Sequence, residues 1–229
     1  MKTCFITGTD TGVGKTTVTA GIAAVLRKRR INVGVMKPIS AGKPQKSGFK
    51  SADVELLSKA ANTSDPADLI NPVFLQLEAS PYDASKILQT PIDMPLILSN
   101  FKKLKSLHDI LLIEGIGGLM TPITRKFYVA DMIKAMGAPT IIVSRTLLGT
   151  INHTVMTCRI CKDYDIPLKG IIINNLDNTE EDITKKLAET IFELTSIDIL
   201  GTISNIKDYS LENISKQIEL DLDLKLFIT

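Results

Sequence analysis

Cysteine is scarce in this chain: Cys4, Cys158 and Cys161 are the three present among 229 residues. An odd count at these spacings excludes a disulfide framework. Cys158 and Cys161 stand at C-x-x-C spacing, but inside a helical pattern and with no second pair. They read as small apolar residues on a helix face, not as a redox or zinc motif. Charge of one sign is not in excess either. Lys and Arg number 27 against 25 Asp and Glu, a net charge of +2, too little for a nucleic-acid-binding surface. The single basic run, "RKRR" at 27–30, reads as the solvated end of a helix. No apolar run approaches the roughly 18 residues of a membrane span. The opening "MKTCFITGTD" is strand-like and too short for a signal-peptide core. Internal repeats, low-complexity tracts and domain-scale linkers are missing as well. These absences lead to the expectation of one cytoplasmic α/β domain over residues 1–229, with no nucleic-acid or membrane partner.

What is present is an alternation of two periodicities. Strand-like runs fall at 2–7, 32–37, 109–115, 138–144, 168–174 and 198–203. Helical spacing appears at 15–29, 51–61 with Ser51 as N-cap, 80–88, 93–104, about 150–164, 179–194 and near 210–218. Residues 38–50, rich in Lys, Gly and Pro, read as a mobile loop. The uninterrupted apolar runs "ILLI", "TIIV" and "GIII" suit parallel strands covered on both faces. The expected architecture is a doubly wound domain, its mostly parallel central sheet carrying helices on both faces. Ligands of such sheets sit at the carboxyl ends of the strands, which gathers residues 8–16, 37–42, 114–118, 144–152 and 174–175 around one crevice.

Residues 8–17, "GTDTGVGKTT", lie between the first strand and the first helix. Gly14-Lys15-Thr16 ends them as a phosphate loop ends, although the first glycine is Gly8, one residue earlier than the usual spacing requires. Backbone N–H groups and the helix N-terminus would cradle phosphate, Lys15 would reach the β- and γ-phosphates, and Thr16 would ligate Mg²⁺. Septum-positioning and plasmid-partition ATPases carry a signature lysine five residues before the loop lysine; here that place is Asp10. A second positive charge must come from elsewhere. Lys37, at the end of the second strand and fixed in its exit by Pro38, is the candidate. Magnesium also needs carboxylates. Glu114 closes "ILLIE" and is followed by "GIGG", where backbone can approach phosphate closely; Asp53, in the first turn of the helix after the loop, is the second candidate.

"GTDTGVGKT" (8–16), "KPISAG" (37–42), "SADVELL" (51–57), "IEGIGGLMTP" (113–122), "GTINHT" (149–154) and "GIIINN" (170–175) resemble, in order and spacing, the dethiobiotin synthetase family. The resemblance spans about residues 3–205 and implies a P-loop NTPase fold. It also implies ATP-dependent closure of a ureido ring on 7,8-diaminopelargonate and CO₂, with Mg²⁺ as cofactor and a homodimer as the working unit. Carried over by position, Thr11, Gly12, Val13, Gly14, Lys15, Thr16 and Thr17 bind the nucleotide phosphates, and Asn174 reads the purine. Lys15, Lys37 and Thr16 carry catalysis; Thr16, Asp53 and Glu114 hold the metal. Ser40 and Ala41 adjoin the substrate, while Gly149, Thr150 and Asn152 take its carboxylate from the neighbouring subunit. His153 is tempting as a base but reads as structural.

Three positions depart from the family pattern. Ala41 stands where Ser or Thr is usual, with a hydroxyl one residue earlier at Ser40. Ile116 replaces a smaller Ala, and Ser204 replaces a proline near the base pocket. Two other readings stay open on sequence. One is the nucleotide domain of a cobyrinate-type amide ligase, which needs an amidotransferase domain or partner with a nucleophilic cysteine that 229 residues do not accommodate. The other is a nucleotide-dependent switch without catalysis.

Overall fold

Six strands that are apolar along nearly their whole length can only be satisfied between two layers of helices, and the chain builds such a sandwich. In the computed structural model, which describes residues 2–46 and 48–227, the elements follow in order. They are β1 (Thr3–Gly8), α1 (Lys15–Lys28), β2 (Val33–Met36), β3 (Ile39–Ala41), α2 (Ala52–Ala61), α3 (Ala67–Ile70), β4 (Val73–Leu75), α4 (Pro81–Ile87) and α5 (Met94–Leu107). There follow β5 (Ile110–Gly118), β6 (Pro122–Thr124), β7 (Phe127–Tyr128), α6 (Val129–Met136), β8 (Thr140–Arg145), α7 (Thr150–Asp163), β9 (Leu168–Asn174), α8 (Glu181–Thr195), β10 (Ile199–Ile203) and α9 (Leu211–Asp221). The main sheet has the order β10-β9-β8-β1-β5-β2, with every pairing parallel.

Alternation along β1 assigns its residues to the two cores. Cys4 and Ile6 point to one layer, with Val18, Ile22 and Leu26 of α1, Leu57 of α2 and Ile214 and Ile218 of α9. Phe5 points to the other, with Ile97 and Phe101 of α5, Ile133 of α6 and Ile191 of α8. From β1 the chain crosses to β2 at one edge, inserts β5 between them, and then continues through β8 on the opposite side of β1. The strand order therefore reverses at β1, and the crevice expected at that switch point opens directly above Gly8.

Several local readings change. Residues 38–50 are not one loop: β3 pairs in parallel with β4, Ile39 opposite Val73 and Ala41 opposite Leu75. A three-residue strand between Pro38 and Gly42 is too short to show a period. α6 was not anticipated. Val129, Ala130, Met132, Ile133 and Met136 are its buried stripe; Asp131 accepts from the Tyr128 N–H at 2.7 Å, and Gly137 ends it in the left-handed region. Ser51 holds the N-cap position of α2, although its hydroxyl makes no cap hydrogen bond. The basic run 27–30 is exposed, and Cys158 and Cys161 lie on α7, where burial pushes their thiols up to about 11 and about 12. Among the described residues no helix is long and apolar enough to cross a membrane.

Candidate active site

The phosphate loop takes its shape from three glycines and two anchors. Gly12 (φ 76°) and Gly14 (φ 87°) adopt the left-handed region that side chains disfavour, and a Cβ on Gly14 would overlap the Asn174 amide. A Cβ on Gly8 would lie 2.7 Å from Val13 and 3.0 Å from the Lys15 ammonium. The displaced first glycine thus makes room for the loop's own lysine. Val13 is fully buried, and its carbonyl accepts from Asn174 Nδ2 at 3.1 Å. Lys15 Nζ folds back onto the Asp10 carbonyl at 2.8 Å. α1 then presents its unpaired N–H groups to the crevice.

Two carboxylates gather beside this loop, one from β5 and one from α2. Glu114, fully buried on β5, accepts from Thr16 Oγ1 at 2.8 Å and from Lys37 Nζ. Lys37 also donates to Asp53 Oδ2 at 3.1 Å. Its backbone is held on both sides: its N–H donates to the Ile70 carbonyl at 2.9 Å, and its carbonyl accepts from Asn71 Nδ2 at 2.7 Å. Burial works against the charge on Lys37, but Glu114 and Asp53 outweigh it and the ammonium is held above its ordinary pKa. Lys15 goes the other way. Burial, and after it the Lys37 charge, lower its pKa from 10.5 to about 8. Glu114 Oε2 is buried with no hydrogen-bond partner. An orphaned carboxylate oxygen beside a hydroxyl and a second carboxylate is a hard-oxygen set that suits Mg²⁺. Among the described residues no three His, Cys, Asp or Glu side chains cluster as metal ligands, so a divalent ion here must lean on Thr16 and on phosphate oxygens.

These groups line one cavity of about 870 Å³. Thr11, Gly12, Gly14, Lys15, Thr16 and Thr17 form its phosphate side, with Lys37, Asp53 and Glu114 at the floor. The opposite wall is made by Ala41, Ile116, Thr121, Pro122 and the segment 78–81 that enters α4. Ser40 and Ala41 both border the cavity, and Ser40 Oγ, nearly buried, has its proton engaged by Asn71 Oδ1 at 2.7 Å. Ile116 fills part of the wall with an apolar side chain, and the Ser204 N–H donates to Asp221 at 2.7 Å.

Three of the expected site residues stand apart. Gly149, Thr150 and Asn152 open α7 beyond β8, and none of them lines the main cavity. Thr150 is buried and its hydroxyl is shared with Ser144 at 2.7 Å. Asn152 and His153 are exposed, so His153 is not a core histidine; it borders a separate cavity of about 70 Å³ beside Asp10 and Arg145. Asn174 is 2 % exposed and does not line the main cavity; its Nδ2 braces the loop at the Val13 carbonyl. Sequence reasoning passed over Asn71, which ties Lys37 to Ser40, and over Glu78, Ser80 and Thr121 on the cavity wall. None of these lies in a motif with a mechanism of its own; only Ser80, as the cap before Pro81, carries a local signal.

Comparison with known proteins agrees with this geometry. A family model described as an AAA domain matches residues 2–213. An ATP-dependent dethiobiotin synthetase of Nitrosopumilus maritimus is 50% identical over 225 residues, covering 98% of each chain. The enzyme of the same name from Thermodesulfovibrio yellowstonii is 38% identical, again with 98% of each chain covered. Among solved structures, the cell-division protein MinD of Aquifex aeolicus, in its complex with MinC, superposes with a TM-score of 0.58 at 18% identity. That match covers 96% of this chain and 88% of the other. A ParA-family ATPase of Chlorobium tepidum gives 0.57 at 15% identity, with 96% and 93% covered. Those two likenesses show the fold and no more, whereas identity of one residue in two over 98% of each chain shows the family: the chain belongs to the ATP-dependent dethiobiotin synthetase family.

Proposed function

We propose that the protein closes the ureido ring of dethiobiotin from 7,8-diaminopelargonate, CO₂ and ATP. The observation that carries the reading is the position of Lys37. It brings a second ammonium to the phosphate end of the cavity, where Asp10 leaves the phosphate loop without one.

The chemistry fits the groups present. One amine of the diamine adds CO₂ and loses a proton to give a carbamate. A carbamate oxygen attacks the γ-phosphorus of ATP, and ADP leaves. The second amine attacks the carbonyl of the resulting anhydride, the ring closes, and phosphate departs as the amine loses its proton. No protein nucleophile is needed, so the enzyme contributes position and charge. The backbone of Thr11–Gly14 and the start of α1, with Thr17, hold the phosphates. Lys15 and Lys37 balance charge on the transferring phosphoryl group and the carbamate. Thr16, Asp53 and Glu114 would hold Mg²⁺, which when bound supplies further charge neutralisation on phosphate oxygens. Asn174, in bracing Val13, positions the loop; its carbonyl oxygen is the part left to meet a base amino group.

A homodimer completes the reading. Gly149, Thr150 and Asn152 do not line the main cavity of their own subunit, and Leu148 beside them is 99% exposed. Both facts favour a second copy receiving them, so that each subunit supplies the carboxylate end of its neighbour's substrate site.

The reading is tested by incubating the protein with diaminopelargonate, bicarbonate and MgATP and following ADP and dethiobiotin by mass. Equimolar ADP and dethiobiotin are expected. Slow ADP release that ignores the diamine, with no dethiobiotin, rules it out.

A further inference from the structure

Apart from Lys15, Lys37, Asp53 and Glu114, the main cavity is lined by one further charged side chain, Glu78. Its neighbours there are Ala41, Ala79, Pro81, Ile116 and Pro122, a surface that suits methylene groups. Among the described residues the Glu78 carboxylate has no hydrogen-bond or ion-pair partner. That distinguishes it from Asp53 and Glu114, each of which has one oxygen engaged by Lys37. It is set just before the Ser80-capped α4 and across from the end of β3, its Cγ 4.0 Å from where a Cβ on Gly42 would be.

From this geometry we infer that Glu78 is a specificity-determining residue that binds one amine of the diamine as an ammonium ion. The inference rests on the function proposed above. A vicinal diamine cannot place both nitrogens as cations beside Lys15 and Lys37. The nitrogen that becomes the carbamate takes on negative charge and belongs at the lysine end. The other arrives as an ammonium, finds its counter-charge on Glu78, and gives up its proton to solvent before its lone pair attacks the carbonyl. Glu78, exposed at the cavity mouth, thereby fixes which nitrogen is turned towards the phosphate, and it favours the diamine over a monoamine of the same length, which makes one charge-assisted hydrogen bond fewer. Glu78 acts by binding, and no proton transfer is assigned to it.

The test uses the full-length protein and the variants Glu78→Gln and Glu78→Asp. In steady-state assays Glu78→Gln is expected to raise the KM for the diamine about tenfold, the loss of one charge-assisted hydrogen bond. The KM for ATP should stay within about twofold of wild type, and Glu78→Asp should recover part of the loss. Calorimetric titration with the diamine reads the same contact without turnover. There the wild type is expected to prefer the diamine over the monoamine that lacks one amino group, and Glu78→Gln to lose that preference. An unchanged diamine KM or affinity in Glu78→Gln overturns the inference, as does equal loss for diamine and monoamine. Absence of dethiobiotin from the wild type sinks the synthetase reading instead, and the calorimetric comparison still decides Glu78.

Discussion

Lys37 and Glu114 lie 77 residues apart in sequence and share a buried hydrogen bond. Their meeting follows from the sheet. β2 and β5 are parallel neighbours with Met36 opposite Ile113, so Lys37, where β2 ends, comes beside Glu114, where β5 runs on towards Gly118. A carboxylate within an apolar strand and an ammonium at the end of its neighbour neutralise one another where neither could be buried alone. Asp53 joins from α2 at 3.1 Å. The pair is therefore both a fold contact and the charge reserve of the site, and substitutions separate the two roles.

Lys37→Gln retains a donor towards Glu114 but loses the charge. It is expected to lower the rate of dethiobiotin formation by about 10²–10³-fold, the scale of removing a preorganised transition-state contact. Nucleotide affinity should change by less than about threefold, because the phosphate loop is untouched. Lys37→Met removes the donor as well and leaves Glu114 without its cation, which should lower unfolding stability by about 3–5 kcal/mol. Near-normal turnover in Lys37→Gln, measured with saturating ATP and diamine, contradicts the role given to Lys37.

Asp53→Asn probes the metal set at its exposed end. The side chain of Asp53 is 45% exposed, so the substitution is expected to leave the melting temperature nearly unchanged. The Mg²⁺ concentration for half-maximal rate should rise about tenfold or more, since an amide oxygen is a poorer ligand for a hard cation than a carboxylate. A magnesium titration that superposes on that of the wild type removes Asp53 from the metal site.

Much of this arrangement is legible in residue order, and the unread parts share a physical cause. Lys15, Thr16 and Asp53 open their helices, Lys37 follows β2 and Glu114 closes the apolar run of β5, and topology brings such places together without any knowledge of packing. α6 and β3 escape notice because they are eight and three residues long, too short for a period to emerge. Glu78 and Asn71 escape because their neighbours come from β3, 30 to 40 residues away, and no local pattern encodes that pairing. Ser40 shows the same limit at finer scale. A hydroxyl one position from the family's place looks like a substitute until Asn71 engages its proton.

Lys15 sets a pH dependence. Burial lowers its pKa in the free protein to about 8, with Lys37 adding to the shift. A polyphosphate bound against it favours the charged form and moves the pKa back up. Below pH about 8 the ammonium is already present and affinity for ATP is flat with respect to this group. Above it, binding must take up a proton, and affinity should fall by up to about tenfold per pH unit. The stability contribution has the opposite sign. The unfolded chain holds this proton up to 10.5, so the cost of burying the charge is fully present below about 8 and is relieved as pH rises from there towards 10.5. Calorimetric titration of nucleotide in two buffers of different ionisation enthalpy at pH 9 measures the uptake directly. Zero proton uptake there removes Lys15 as the titrating contact.

The shared site can be tested by complementation. In each subunit Lys37 faces its own cavity, whereas Asn152, exposed at the start of α7, does not line it. Thr150 is a poor probe because its hydroxyl is tied to Ser144 and its loss disturbs the start of α7. Asn152→Ala removes only exposed atoms. A Lys37→Gln homodimer has two dead sites, and an Asn152→Ala homodimer has two sites weak in diamine at low substrate concentration. In a mixed dimer one site collects both defects and the other collects neither. Random reassociation of equal amounts makes half of the dimers mixed, each with one intact site, so activity at low diamine should recover to roughly a quarter of wild type. If Asn152 served its own subunit, every site would keep one lesion and mixing would restore nothing. The recovered fraction, assayed after co-refolding and against each variant refolded alone, distinguishes the two arrangements.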